Sequence, residues 1–519
     1  MGKEAAEPPR EDGPGEAPAQ APAREELKAD AIGFVDALVI GLNATSPAYS
    51  LAAVIGPIVV LVGVAAPGVL LASFIPMLLI ASAFYYMNKV DQDCGTTFSW
   101  VTRAMGPWWG WQGGWAITMT GVLVVGALAD VAVRFTLLMF GLDHVAYPDD
   151  AEPSFWLFKI IVIALTVGLV VFMTWLCVLG TELSAKVQNV LIAMQVVALL
   201  VFAGVALWQA STGAAPDALE PSWTWLNPLA EGGGALTAGL LLGVFIYWGW
   251  ESAVNLTEET SNSASAPGKA GLWSTVILMI TYLAVGFAIV AVMGVGALSE
   301  NAEEEEGIFA IIGEQVLGGW SWILLFSVVT SAIASTQTTI IPASRTALSM
   351  ARRSAVPARF GHIHRRFRTP DVSTWWVAWI AIVWYVAISL LSENALFDSL
   401  TALSLVIAFY YSLTGIACAI YYRKHLRDSL KNLLLIGIGP VIGSLLLIWL
   451  LVAAFVDMAD PENSYSGQAW FGVGPPLVIG LVIFAAGIVL MLVWRARDAR
   501  FWEEKASVVD PQLVRGEKS

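Results

Sequence analysis

A series of apolar runs constrains this chain more than any other feature. They fall at about 32–64, 66–88, 108–140, 154–179, 185–210, 234–260, 271–298, 319–350, 374–391, 395–422, 433–456 and 473–495. A helix rising about 1.5 Å per residue needs roughly 20 apolar residues to cross a hydrocarbon core about 30 Å thick. Lipid offers no hydrogen bonds, so each crossing backbone must satisfy itself. The runs therefore predict an all-α membrane protein with twelve transmembrane helices. An outer-membrane barrel would alternate apolar and polar residues over short segments, and these runs do not. Only 13% of the residues are charged, where a soluble domain carries roughly 25%.

Charge outside the runs is partitioned by side. The loops after odd-numbered runs (141–153, 211–233, 299–318, 392–394 and 457–472) contain no Lys or Arg. They carry acids instead, including Asp149, Asp150, Glu152 and the run Glu303–Glu306, which reads as a solvated external loop. The even-numbered loops hold Lys89, Arg103, Lys269, Arg352, Arg353, Arg359, Arg365, Arg366, Arg368, Arg423, Lys424, Arg427 and Lys431. Arg495, Arg497 and Arg500 follow the last run on the same side. Cytoplasmic loops are the basic ones, so a cytoplasmic-membrane protein with both termini inside is expected. Residues 1–28, rich in Pro, Ala and Glu, read as a disordered tail rather than a signal peptide. The net charge of −14 reflects this partition and points to no nucleic acid. Cys94, Cys177 and Cys418 are too scattered for a disulfide framework or a metal site.

Two runs contain breaks. Residues 32–64 as one helix would reach roughly 50 Å, and the middle reads Asn43-Ala44-Thr45-Ser46-Pro47-Ala48-Tyr49-Ser50. Pro47 lacks an amide proton and pushes Ser46 out of helical geometry. Asn, Thr and Ser offer competing hydrogen bonds. The second break lies in Phe245-Ile246-Tyr247-Trp248-Gly249-Trp250-Glu251-Ser252, where Gly249 precedes a carboxylate deep in an apolar run. A charge at that depth costs on the order of 2.5 kcal/mol or more, so Glu251 is expected to be functional and protonatable. Runs one and six each open a set of five and enter from opposite sides. Interrupted helices at matching positions of inverted halves mark a secondary transporter's binding site. A helix start offers amides to a carboxylate, and a helix end offers carbonyls to an ammonium group. A zwitterionic amino acid or a related amine is the expected substrate.

The remaining polar residues receive blander readings. Asp130 and Arg134, four apart, are expected to pair near the outer surface. Asp36 reads as an interfacial carboxylate, and Lys159 as a snorkelling lysine. Trp108, Trp109, Trp111 and Trp115 form an aromatic belt, with Trp115 deep enough to approach a central site. Ser327, Ser335 and Thr339 serve as packing glue or pocket lining. There is no Walker motif, nucleophile elbow or pore loop, which argues against ATP drive, an enzyme or a channel. No cofactor is expected.

Two motifs resemble those of the amino acid–polyamine–organocation permeases. Gly249-Trp250-Glu251-Ser252, followed by Glu258-Glu259-Thr260 and Pro267, is similar to the family's sixth-helix signature. Ser344–Arg352, continuing through Pro357, Phe360, His364 and Thr369-Pro370, is similar to the end of its helix eight and the helix that follows. The resemblance covers about 30–495. It implies a five-plus-five inverted repeat like the leucine transporter's, with helices eleven and twelve added. The first repeat would span about 32–210, the second about 234–422 and the extra helices about 433–495, within a domain of 29–496. Residues 497–519 form a second cytoplasmic tail. The resemblance places substrate at Asn43, Ala44, Thr45, Ser46 and Ala48, makes Phe245 an aromatic gate and puts Trp248 in the side-chain pocket. Gly249 marks the break, and Glu251 matches a glutamate that handles protons or amines. Three departures stand out: Thr45-Ser46-Pro47-Ala48 replaces a Gly-Ser-Gly-like bend, Gln195 stands where some relatives carry a lysine, and Arg353-Ser354 replaces Asp-Gly.

The expected function is secondary transport of amino acids or related amines by alternating access, with proton symport as the first coupling. Amine or polyamine exchange is the alternative within transport. A transporter-like ligand sensor is the alternative outside it. The expected partners are a small molecule, protons and the bilayer.

Overall fold

The computed structural model describes residues 26–149, 151–215, 217–300, 308–391 and 393–509. Residues 1–25 of the expected tail, Asp150 and the Glu303–Glu306 run lie outside them. Among the described residues, eleven segments are long and apolar enough to cross a membrane. The first, Phe34–Val90, has 57 residues, far more than a core about 30 Å thick can hold as one helix. It is cut into α1 (Phe34–Ala44), α2 (Pro47–Val62) and α3 (Ala66–Val90), with Gly63 at φ 52° between the last two.

The chain continues through α4 (Thr97–Met105), α5 (Pro107–Met139), α6 (Asp143–Ala146), α7 (Phe155–Leu179) and α8 (Thr181–Thr212). Next come α9 (Gly232–Gly243), α10 (Ser252–Asn255), α11 (Ala266–Glu300), α12 (Ile308–Leu317) and α13 (Trp322–Arg352). The last are α14 (Asp371–Leu391), α15 (Glu393–Tyr421), α16 (Leu430–Asn432), α17 (Gly439–Asp457) and α18 (Pro475–Arg497). Among the described residues, β pairing is limited to the isolated bridges Ile32–Thr260 and Trp470–Val473.

Helices α5, α13 and α15 form the centre, and α5 packs most extensively on α13. Small residues let them approach: a Cβ on Gly121 of α5 would lie 2.8 Å from Ala343 Cβ of α13. α13 is buried yet polar, carrying Ser331, Ser335, Thr336, Gln337 and Thr338. Hydroxyls on such a helix bond back to their own carbonyls, as Thr336 does to Ala332 O at 2.8 Å. Helices α7, α8 and α18 instead turn large apolar side chains outward, including Leu157, Val197 and Val489. That is the surface a hydrocarbon solvent requires.

Three regions go beyond the sequence reading. α4 lies in what reads as a loop, yet Phe98 and Trp100 on it are fully buried. The start of the C-terminal tail docks on α4, where Phe501 stacks on Phe98 with centroids 5.5 Å apart. Lys159 is 8% exposed, and its ammonium turns back toward the start of α7, over the Phe155 and Trp156 rings. Asp130 and Arg134 do pair, at 2.6 Å. Trp108 and Trp109 remain exposed, as a belt would.

Candidate functional site

The first break is two residues long. α1 ends at Ala44, α2 begins at Pro47, and Ser46 adopts the left-handed region at φ 50°, ψ 58°. A non-glycine residue there is strained, so neighbours must hold it. Ser46 Oγ and Ser331 Oγ of α13 share a hydrogen bond at 3.2 Å. The Ala48 amide donates to Ser331 Oγ, and Ser335 Oγ donates to the Ala44 carbonyl at 3.0 Å. Below the break, Asn43 is locked by α8: it donates to Gln188 O at 2.9 Å and accepts from Gln195 Nε2 at 2.5 Å. Gln188 in turn reaches Gln337 of α13 at 2.6 Å.

The second break is longer. α9 stops at Gly243, a 3₁₀ turn covers Phe245–Tyr247, and Trp248 is extended (ψ 144°) before α10 starts at Ser252. Gly249 takes φ 115°, which L side chains rarely adopt. Backbone groups released at membrane depth need protein partners. Tyr282 OH donates to Ile246 O at 2.8 Å, supplying one.

The two breaks touch. A Cβ on Gly249 would lie 2.6 Å from the Ala44 carbonyl oxygen. Beside that contact is a small cavity lined by Thr45, Ser46, Tyr49, Ser50, Phe245 and Trp248, with Val124, Ala127, Leu128 and Leu400 as apolar walls. A larger cavity shares Tyr49, Ser50, Phe245 and Leu400 with it and extends to Asp457 and Tyr465, on the side of the acidic loops. Phe245 therefore stands between the two spaces, its ring 6.2 Å from that of Trp248. The first turn of α2 brings its positive dipole end to the inner cavity.

Glu251 does not line this cavity. It is 2% exposed and bound on every side: Tyr410 OH donates to Oε1 and Tyr411 OH to Oε2, both at 2.5 Å, and the Gly249 amide donates at 3.2 Å. Trp248 Nε1 donates to Tyr410 OH at 2.5 Å. A continuous chain thus runs from the cavity wall at Trp248, through Tyr410, to the carboxyl of Glu251.

On the side of the basic loops the site is sealed. Glu259 makes a bidentate pair with Arg345 at 3.0 and 3.1 Å, and both are essentially unexposed. Glu258 grips Arg352 at 2.7 and 2.9 Å. The Ile32 amide donates to Glu259 O, and the Ser261 amide to Ile32 O. The chain entering α1 is thus zipped to the chain leaving α10. Asp93, Cys94 and Glu258 bring three ligand atoms within 4.8 Å of one another. They are already employed: Asp93 on Arg353 and Ser349, Glu258 on Arg352, and the thiol on Arg345 O. Burial also pushes the Cys94 thiol well up, away from the thiolate a metal needs. Nearby, burial and the neighbouring Asp93 push Asp91 up to about 6.

Of the residues expected at the site, Ala44, Thr45, Ser46, Phe245 and Trp248 line one cavity. Ala48, Gly249 and Asn43 support the breaks from behind. Trp115 is not brought there; its indole stacks on Trp111 and donates to Ile483 O of α18. Sequence reasoning missed Tyr410 and Tyr411. The available signal was a pair of tyrosines deep in an apolar run, each carrying a hydroxyl that needs a buried partner.

Comparison with known proteins fits this architecture. The profile of the amino acid permease family matches residues 32–486. An uncharacterized transporter of Mycobacterium tuberculosis is 26% identical, covering 65% of this chain and 70% of that one. The branched-chain amino acid permease BcaP of Lactococcus lactis is 22% identical over 81% of this chain and 87% of its own. The polyamine transporter RMV1 of Arabidopsis thaliana is 24% identical over 55% of this chain and 53% of its own.

Proposed function

The chain belongs to the amino acid permease family, and on that premise we propose that it carries a zwitterionic amino acid with an apolar side chain, coupled to a proton, by alternating access. The observation that carries this is the contact of two helix breaks around one cavity, tied to Glu251 through Trp248 and Tyr410. In this reading the substrate carboxylate meets the start of α2, and its side chain meets Val124, Ala127, Leu128 and Leu400. No carboxylate lines the inner cavity among its described residues, which favours a zwitterion over a polyamine. The name of the Lactococcus relative supports a branched side chain.

Twelve spans follow when Phe34–Val90 is read as two passes, and a five-plus-five layout then pairs the two breaks. With the basic loops in the cytoplasm of a bacterial-type cell membrane, the conformation described here is closed inward by Glu259–Arg345 and accessible from outside past Phe245. Substrate pressing on Trp248 alters its bond to Tyr410 and hence the setting of Glu251. Release inward requires the Glu259–Arg345 and Glu258–Arg352 pairs to part. Sites near mid-membrane between repeats suit this rocking.

The test is uptake of L-leucine into proteoliposomes. A pH gradient, acid outside the transporter's entry face, is expected to drive accumulation by wild type. Glu251→Gln is expected to abolish gradient-driven accumulation while leucine counterflow persists. Undiminished gradient-driven uptake in Glu251→Gln removes the proton role of this residue.

A further inference from the structure

A second, small polar cavity lies where α5, α7, α14 and α15 meet. It is separate from the one at the breaks but adjoins the larger outer cavity through Phe397, which lines both. Its polar lining is Asp130, Arg134, Tyr147, Lys159, Tyr385 and Ser389. Three of these are committed to one another. Asp130 takes Arg134 Nε at 2.6 Å on one oxygen and Tyr385 OH at 2.5 Å on the other.

Lys159 and Ser389 are different. Lys159 is 8% exposed, and its ammonium lies 5.0 and 5.6 Å from the ring centres of Phe155 and Trp156. Among the described residues it meets no carboxylate and no hydrogen-bond acceptor. Aromatic faces attract a cation but leave its three N–H donors unfilled. Ser389 is 7% exposed, and its buried hydroxyl has no partner among the described residues. A buried hydroxyl without a bond is costly, and an ammonium over aromatic faces keeps open donors. Both residues line one small cavity, with space on the scale of a single water or halide.

We propose that this cavity is a binding site for a small monovalent anion, with the Lys159 ammonium as counter-charge and Ser389 Oγ as a hydrogen-bond donor. A free halide and the carboxylate of an arriving amino acid share this chemistry. Either one completes the two open donor sets without disturbing the Asp130–Arg134 pair. The site does not depend on the transport reading, because binding is measured on the protein alone.

The test uses the purified full chain in detergent, with gluconate holding ionic strength constant. The unfolding midpoint is followed against sodium chloride, and separately against sodium acetate. Wild type is expected to show a saturable rise with at least one small anion. Chloride acting alone identifies a halide site; acetate acting without chloride identifies a carboxylate site. Lys159→Met is expected to raise the half-saturating concentration about tenfold or more, the loss of one charge-assisted hydrogen bond, and Lys159→Arg to restore most of it. Should Lys159→Met fail to fold, Ser389→Ala is expected to weaken the same response about fivefold. No saturable rise in wild type, or an unchanged response in the folded variants, overturns the proposal.

Discussion

The two helix breaks meet at one place but are built with different chemistry. The first is short, made by a proline and hydroxyl side chains, and fastened to α13 through Ser331 and Ser335. The second is longer, made by a glycine among aromatics, and fastened to α11 and α15 through tyrosine hydroxyls. The first break offers a backbone cradle, and the second adds a carboxyl linked to the cavity wall. Under the proposed function this divides the labour: the first break recognises the invariant part of the substrate, and the second reads its side chain and passes the result to Glu251.

The largest test of this contrast is to force the breaks apart. Gly249→Ala places a Cβ 2.6 Å from Ala44 O on a backbone at φ 115°, where strain alone costs about 1–3 kcal/mol. The expected outcome is a clearly lowered unfolding midpoint and leucine uptake near background. A variant that transports normally shows that the breaks need not touch.

A second test separates the two tyrosines. Tyr410→Phe and Tyr411→Phe each remove a hydrogen bond to Glu251, worth about 1.5–3 kcal/mol if the carboxyl is ionised. Only Tyr410 also holds Trp248. Tyr410→Phe is therefore expected to raise the KM for leucine, while Tyr411→Phe lowers proton-driven uptake with KM little changed. Equal effects on KM dissolve the distinction.

The smallest effect belongs to the first break. Ser335→Ala removes one neutral hydrogen bond to Ala44 O, expected to cost about 1 kcal/mol. Counterflow of leucine is expected to slow several-fold, with the pH dependence of uptake unchanged. A change in that pH dependence means that the first break also takes part in coupling.

Much of this architecture was legible in the chain. The apolar runs predicted the long helices to within a few residues, because hydrocarbon solvent leaves a helix no alternative. Pro47 and Gly249 predicted both breaks, because each acts on its own backbone. The Asp130–Arg134 pair followed from helical spacing. What could not be read depends on distant chain segments. Phe98 and Trp100 looked like loop residues until the fold turned α4 back into the bundle. Trp115 had the right depth but faces α18 instead of the cavity, since depth does not fix azimuth.

Sequence by itself determined that this chain crosses a membrane many times, where two of its helices break, and that a carboxylate lies beside one break. These are local consequences of hydrophobicity, proline and glycine. Tertiary structure alone decided that the breaks touch and that Glu251 sits behind Trp248, in the grip of Tyr410 and Tyr411. Those tyrosines are 159 and 160 residues away along the chain. A hydrogen bond across that separation is set by how helices pack, and no local rule of the backbone encodes it.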